Sequence, residues 1–257
     1  MKFILGIIIT FFTLTSGAGC SQVIPPSQPP PSSQNEQPPE VIEGPPYLET
    51  FLVKRGAAAE EVVSYKDISA MTVLVNKQNH LPEGYVPPDL VEVQIPFTFA
   101  DKSEKRMLRE EAALHLQELF AAAKENGVIL YGVSGYRSYQ TQKWIFAYNI
   151  GRFGSEEEAN QISARPGESE HQSGLAMDVS SQSVNYGLFE SFGDTKEYEW
   201  LKDNAHLYGY IIRYPQGKEH ITEYTYEPWH LRYVGVELAK ELYENDFSYE
   251  EYLFFRI

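Results

Sequence analysis

The sequence predicts an α+β fold. Its strand candidates are short, the loops between elements are long, and strands and helices alternate without a regular βαβ period. No internal repeat is visible. Residues 47–70 are moderately polar, with Val62, Val63 and Tyr65 as a first short strand candidate. Met71 to Val75 (MTVLV) is a stronger strand candidate, bounded by Asn76 and a loop containing Pro82, Pro87 and Pro88. Between Glu104 and Asn126 the apolar residues Met107, Leu108, Ala112, Leu116, Leu119, Phe120 and Ala123 recur in steps of three and four. That spacing predicts one amphipathic helix, closed by Asn126-Gly127 as a C-cap. A strand follows over 128–134, then a helix over about 138–149. Residues 174–179 read as a strand, 197–208 as a helix ending at Gly209, 210–214 as a strand and 234–243 as a last helix.

Composition excludes several function classes. The 257 residues hold 21 Lys+Arg against 36 Asp+Glu, a net charge of −15. A phosphate backbone or an anionic headgroup layer needs clustered cations, so neither nucleic acid nor a basic membrane patch fits this balance. Hydrophobic residues at 42% and charged residues at 22% are ordinary for a globular domain. Cys20 is the single cysteine, so no intrachain disulfide can form and the fold relies on its core and on any bound metal.

The N-terminal segments read as processing and tethering signals. Lys2 precedes an apolar run over 3–14, too short to span a bilayer but suited to a signal peptide. Small residues at 16–19 lead to Cys20. The pattern is similar to a bacterial lipoprotein signal, with 1–19 removed and Cys20 lipidated as the first mature residue. Gly17 stands where such signals usually carry Leu, and ordinary cleavage beside an incidental thiol is the alternative. Residues 21–46 contain nine of the sixteen prolines and no aromatic residue, which favours an extended polyproline tether over packed structure. The expected organisation is a signal peptide (1–19), a Cys-anchored tether (20–46) and a single folded domain (47–257) outside the cytoplasm, facing the cell wall.

The chemistry sits in three short segments. In Ser169-Glu-His171-Gln-Ser-Gly174-Leu-Ala176-Met-Asp178, strand alternation buries Leu175, Met177 and Val179. Gly174, Ala176 and Asp178 then share the other face, where small side chains leave room beside a carboxylate. Glu227-Pro228-Trp229-His230 follows an aromatic run, and Pro228 argues for a loop or strand end rather than a helix. Trp229 reads as a core aromatic. Two histidines and an aspartate match a catalytic zinc site with three protein ligands and an open position, and Glu227 remains free to accept a proton. In Ser134-Gly-Tyr-Arg137-Ser-Tyr-Gln-Thr-Gln142, an arginine at the mouth of a helix offers a fork for a carboxylate or an oxyanion. His80, His115, His206 and His220 fall outside these motifs and read as surface or helix-face residues. No serine carries a nucleophile motif.

The segments SGYRS, SEHQSGLAMD and EPWH together resemble the zinc D-alanyl-D-alanine carboxypeptidases of the peptidase M15 family, the VanY-like branch. The resemblance extends through Val75-Asn76-Lys77, Arg165-Pro166-Gly167, Ile212 to Pro215 and Arg232 to Gly235, covering about 73–242. It implies a small central antiparallel sheet flanked by helices. It also implies one Zn2+ per chain on His171, Asp178 and His230, with Glu227 as general base and Arg137 on the oxyanion and substrate. Gln142 and Ser169 would lie near the substrate's terminal carboxylate, with Tyr214 as a further contact. The implied partners are peptidoglycan stem peptides. Apart from the resemblance, the chain is expected to be a monomer whose only link to the membrane is the lipid on Cys20. The implied reaction is removal of terminal D-alanine, as a D,D- or an L,D-carboxypeptidase. A binding protein that kept the fold without catalysis would not need all four of His171, Asp178, His230 and Glu227.

Overall fold

The computed structural model describes residues 65–256. The signal, tether and Cys20, and the strand candidate's Val62 and Val63, lie outside them. In chain order the strands are β1 (Leu90–Glu92), β2 (Met107–Arg109), β3 (Tyr131–Ser134), β4 (Ala176–Ser180), β5 (Tyr210–Tyr214) and β6 (Glu227–Tyr233). The helices are α1 (Glu110–Glu125), α2 (Tyr139–Phe153), α3 (Glu156–Ile162), α4 (Lys196–Asn204), the single turn α5 (Glu219–Thr222), α6 (Val236–Glu244) and α7 (Tyr249–Arg256). β3, β4, β6 and β5 form one antiparallel sheet in that order, and β1 pairs with β2 apart from it. The mixed helix-and-sheet class expected from the sequence is what forms.

α1 buries Ala112, Ala113, Leu116, Leu119, Phe120 and Ala123 in the main core, where they join Leu175 just before β4, Met177 and Val179 from β4, and Leu231 and Tyr233 from β6. Its end is a Schellman motif: Gly127 N–H donates to the Lys124 carbonyl at 3.0 Å and Val128 N–H to that of Ala123 at 2.9 Å. Gly127 supplies the required left-handed backbone at φ 73°. α2 starts where Ser138 Oγ accepts from Thr141 N–H and stops at Gly154, φ 94°.

The structure corrects two elements. The helix expected from Glu104 begins only at Glu110, because residues 107–109 pair with Leu90–Glu92 as a strand. Arg109 Nε, 2.9 Å from Asp89 Oδ1, ties that pair together. Met71 to Val75 is not a strand, although Val73 and Val75 are buried in the core. Its backbone is used differently: the carbonyls of Met71 and Val73 accept from the Arg232 guanidinium at 3.1 and 2.6 Å. Tyr65 lies in a turn, with its carbonyl accepting from Leu74 N–H.

A second cluster joins Leu74 and Val234 to Leu238, Leu242, Tyr249, Tyr252 and Leu253 of α6 and α7. It covers the side of β5 that carries Ile211. β4 is buried along its whole length.

Candidate metal centre and active site

Sheet register assembles the site. Asp178 on β4 is the direct partner of His230 on β6, Ser134 on β3 stands opposite Asp178, and Tyr214 on β5 stands opposite Glu227. Pro228, which cannot donate to a ladder, falls where the β5–β6 register shifts, so Glu227 starts the strand and His230 lies within it. His171 comes from a 3-10 turn, Glu170–Ser173, ended by Gly174 in the left-handed region. The room left by Gly174 is occupied: an added Cβ would lie 2.8 Å from Leu90 and 3.1 Å from Arg109.

The two histidines present opposite nitrogens. His171 Nδ1 is 2.8 Å from the Gly135 carbonyl, an acceptor only, so Nδ1 carries the proton and Nε2 faces Asp178 Oδ2 at 3.3 Å. Gly135 must be glycine for this approach, since a Cβ there would meet the Met107 carbonyl oxygen at 2.6 Å. His230 Nδ1 lies 3.3 Å from Asp178 Oδ1 and 3.4 Å from Glu227 Oε2. One ligand atom each from His171, Asp178 and His230 fall within 4.8 Å of one another, and all three residues are buried. Asp178 Oδ1 is buried without a hydrogen-bond partner, its contact to His230 Nδ1 lacking the geometry of one. A carboxylate oxygen left this way, beside two imidazole nitrogens, fits a zinc ion as the missing partner.

The electrostatics agree. Burial first, and then Arg137, push His171 below its ordinary pKa and keep it the neutral imidazole that a metal requires. Burial opposes charge on Asp178, but His171 and His230 hold its carboxyl well below the usual range. Burial also opposes charge on His230, yet Asp178, Glu170 and Glu227 outweigh it and raise its pKa well above the ordinary value. Three carboxylates thus surround the His230 ring, and two of them, Asp178 and Glu227, lie on its Nδ1 side, where a cation would sit. Glu227 is itself raised, chiefly by burial, which makes it a better proton acceptor near neutral pH.

Arg137 sits just before the α2 cap, 3.6 Å from Asp178 Oδ2. It donates to Gln142 Oε1 at 2.7 Å and to Ser134 Oγ at 3.3 Å, and its Nε is buried without a partner. A cavity of about 210 Å³ is lined by Arg137, Ser169, His171, Asp178, Tyr214, Glu227 and His230, and also by Glu170, Tyr224 and Trp229. Tyr214 stacks obliquely on His230, ring centres 4.9 Å apart. Gln142 is placed behind Arg137 rather than on the cavity wall: its amide donates to the Ala164 carbonyl at 2.7 Å while its oxygen accepts from Arg137. Trp229 is half-buried, packed on the core and edging the cavity. His206 stacks on Tyr243 at 3.7 Å and His115 on Tyr233 at 5.5 Å, while His80 and His220 are exposed. Sequence reasoning missed Glu170, Arg213 and Arg232 as parts of the centre, although each lies inside a segment it singled out.

The VanY family profile, described as D-alanyl-D-alanine carboxypeptidase, matches residues 105–236. Those residues hold Arg137, His171, Asp178, Glu227 and His230 and span half of the chain. The chain belongs to the VanY family. The Bacillus subtilis (strain 168) protein YodJ is 50% identical over 200 residues, 78% of this chain and 72% of the relative. The structure of the LD-carboxypeptidase LdcB is similar at 52% identity and TM-score 0.69, over 72% of this chain and 86% of that one. A variant of the vancomycin-resistance D,D-pentapeptidase VanY, solved in complex with Zn(II), is similar at 32% identity and TM-score 0.56, over 70% and 97%.

Proposed function

We propose that this VanY-family chain is a zinc carboxypeptidase that removes terminal D-alanine from peptidoglycan stem peptides outside the cytoplasm. The observation that carries this reading is the meeting of His171, Asp178 and His230 at one buried point, with Glu227 and Arg137 on the same cavity. His171 Nε2, His230 Nδ1 and a carboxylate oxygen of Asp178 would hold one zinc ion. When bound, zinc supplies a Lewis acid and brings the pKa of a water toward neutrality. Glu227 accepts the proton of the attacking water and passes it to the nitrogen of the leaving D-alanine. Arg137 offers its guanidinium to the negative charge on the scissile carbonyl oxygen and helps fix the substrate. Gln142 steadies Arg137, and Ser169 and Tyr214 contact the peptide. No serine nucleophile is needed: Ser138 caps α2, and Ser180 Oγ donates to the Gly187 carbonyl at 2.7 Å.

Likeness to LdcB at 52% identity, against 32% for the pentapeptidase, favours tetrapeptide stems and L,D-cleavage. Digestion of defined tri-, tetra- and pentapeptide stems, with products identified by mass, tests this. Free D-alanine should leave the tetrapeptide fastest, whereas cleavage of the pentapeptide alone assigns D,D-activity. Arg137→Lys keeps a charge but loses the bidentate fork. It should lower kcat/KM by about 10²-fold and weaken product binding, with zinc content unchanged by metal analysis.

Among the described residues no helix is long and apolar enough to cross a membrane. Lipid on Cys20, joined through the 20–46 tether, is the proposed anchor of a monomeric enzyme. Cys20→Ser should release the protein into the medium on cell fractionation. A variant that stays with the membrane assigns the anchor to an uncleaved N-terminal segment instead.

A further inference from the structure

We propose that Glu170 is a positioning residue that decides which nitrogen of His230 faces the metal. The inference rests on His171, Asp178 and His230 being the zinc ligands. The Glu170 side chain is fully buried between two guanidinium groups that are themselves fully buried. Its Oε1 accepts from Arg213 Nε and from Arg232 Nη1, each at 2.7 Å. Its Oε2 is left facing His230 Nε2 at 3.3 Å. A carboxylate held between two guanidinium groups only accepts hydrogen bonds. With zinc on the Nδ1 side, where Asp178 and Glu227 lie, the proton of His230 therefore resides on Nε2 and the Nδ1 lone pair is left for the metal. Gly135 does the same for His171 from the opposite side, through that ring's Nδ1.

The support is anchored in turn. Arg213 on β5 also donates to Glu250 of α7, at 2.8 Å from Nη1 to Oε2. Arg232 on β6 is fixed by the carbonyls of Met71, Val73 and Tyr233. A chain of contacts thus runs from Glu250, beyond the residues matched by the family profile, through Arg213 and Glu170 to His230. A buried ion pair alone is weak evidence of anything but packing. Here one carboxylate oxygen is reserved for a ring nitrogen of a metal-ligand candidate, the arrangement by which outer carboxylates orient zinc-bound histidines.

The test uses the full-length zinc-loaded chain and Glu170→Asp, which keeps the charge between the arginines but withdraws the carboxylate by one methylene. Zinc affinity is read by chelator competition at a temperature where circular dichroism shows both proteins folded. It should weaken about 10–100-fold, and the cobalt-substituted variant should show an altered d–d spectrum. If Glu170 only supports the fold, melting temperature falls while zinc affinity and cobalt spectrum match the parent, and the proposal is overturned. A second measurement needs no variant. In the cadmium-loaded parent with nitrogen-labelled histidine, metal coupling should appear at Nδ1 of His230 and a proton on its Nε2. Coupling at Nε2 overturns the proposal whatever the variant does. A parent that binds no metal, or keeps it in His230→Ala, overturns the zinc-site reading and this proposal with it, so the two failures are told apart.

Discussion

Glu227→Gln is expected to lower kcat by roughly 10²–10⁴, the range for a lost general base, while zinc stays at about one equivalent per chain. The substitution keeps the side chain's size and removes its basicity. Glu227 starts β6, its carboxylate 3.4 Å from His230 Nδ1 and partly open to the cavity. Its raised pKa, set mainly by burial, places it nearer the proton affinity of water activated by a metal. In transition-state terms the loss corresponds to about 3–5 kcal/mol. Single-turnover cleavage of a tetrapeptide stem, beside metal analysis and product-peptide binding, separates chemistry from binding. Retained zinc and retained binding with slow turnover is the expected pattern. Should the variant arrive without metal, Glu227 is itself a ligand and the roles of Asp178, His171 and His230 must be reassigned.

His171→Ala should abolish activity and strip zinc together. Removing one of three ligands should weaken zinc by more than the roughly 10–100-fold typical of an outer-shell partner. Stability provides a readout independent of turnover. Zinc at about a thousand times its Kd should stabilise the parent by about 4 kcal/mol, an increment His171→Ala should lack. Zinc binding there also displaces a proton, since Asp178, Glu170 and Glu227 raise the His230 pKa well above its ordinary value. Full activity in a chelator-treated chain shown to be metal-free would exclude the metalloenzyme reading.

Much of this was legible in the sequence where the signal was local. The end of α1 at Asn126-Gly127, the start of α2 at Ser138 and strand β5 over residues 210–214 all lie where periodicity and capping residues place them. The strand bearing Asp178 came within two residues of its observed start at Ala176. Residues 107–109 misled because Met107 and Leu108 continue the helical spacing of α1, while their pairing with Leu90–Glu92 is non-local. Residues 71–75 have the composition of a strand, but the partner of their carbonyls is the Arg232 side chain, 161 positions from Met71.

The sequence by itself determined the residue types of the centre, because metal binding and proton transfer admit few side chains and their spacing survives in three short motifs. It also determined the fold class, because alternation and helical period are written residue by residue. Only the tertiary structure decided how those residues are held. Antiparallel register sets Asp178 directly opposite His230 and Glu227 opposite Tyr214, and no local pattern encodes that register. It turned Gln142 away from the cavity onto Arg137. It also revealed Glu170, whose buried charge is balanced by arginines 43 and 62 positions away. A carboxylate in low-dielectric surroundings must find its cations wherever the chain returns, so such partners are visible only after the chain has folded.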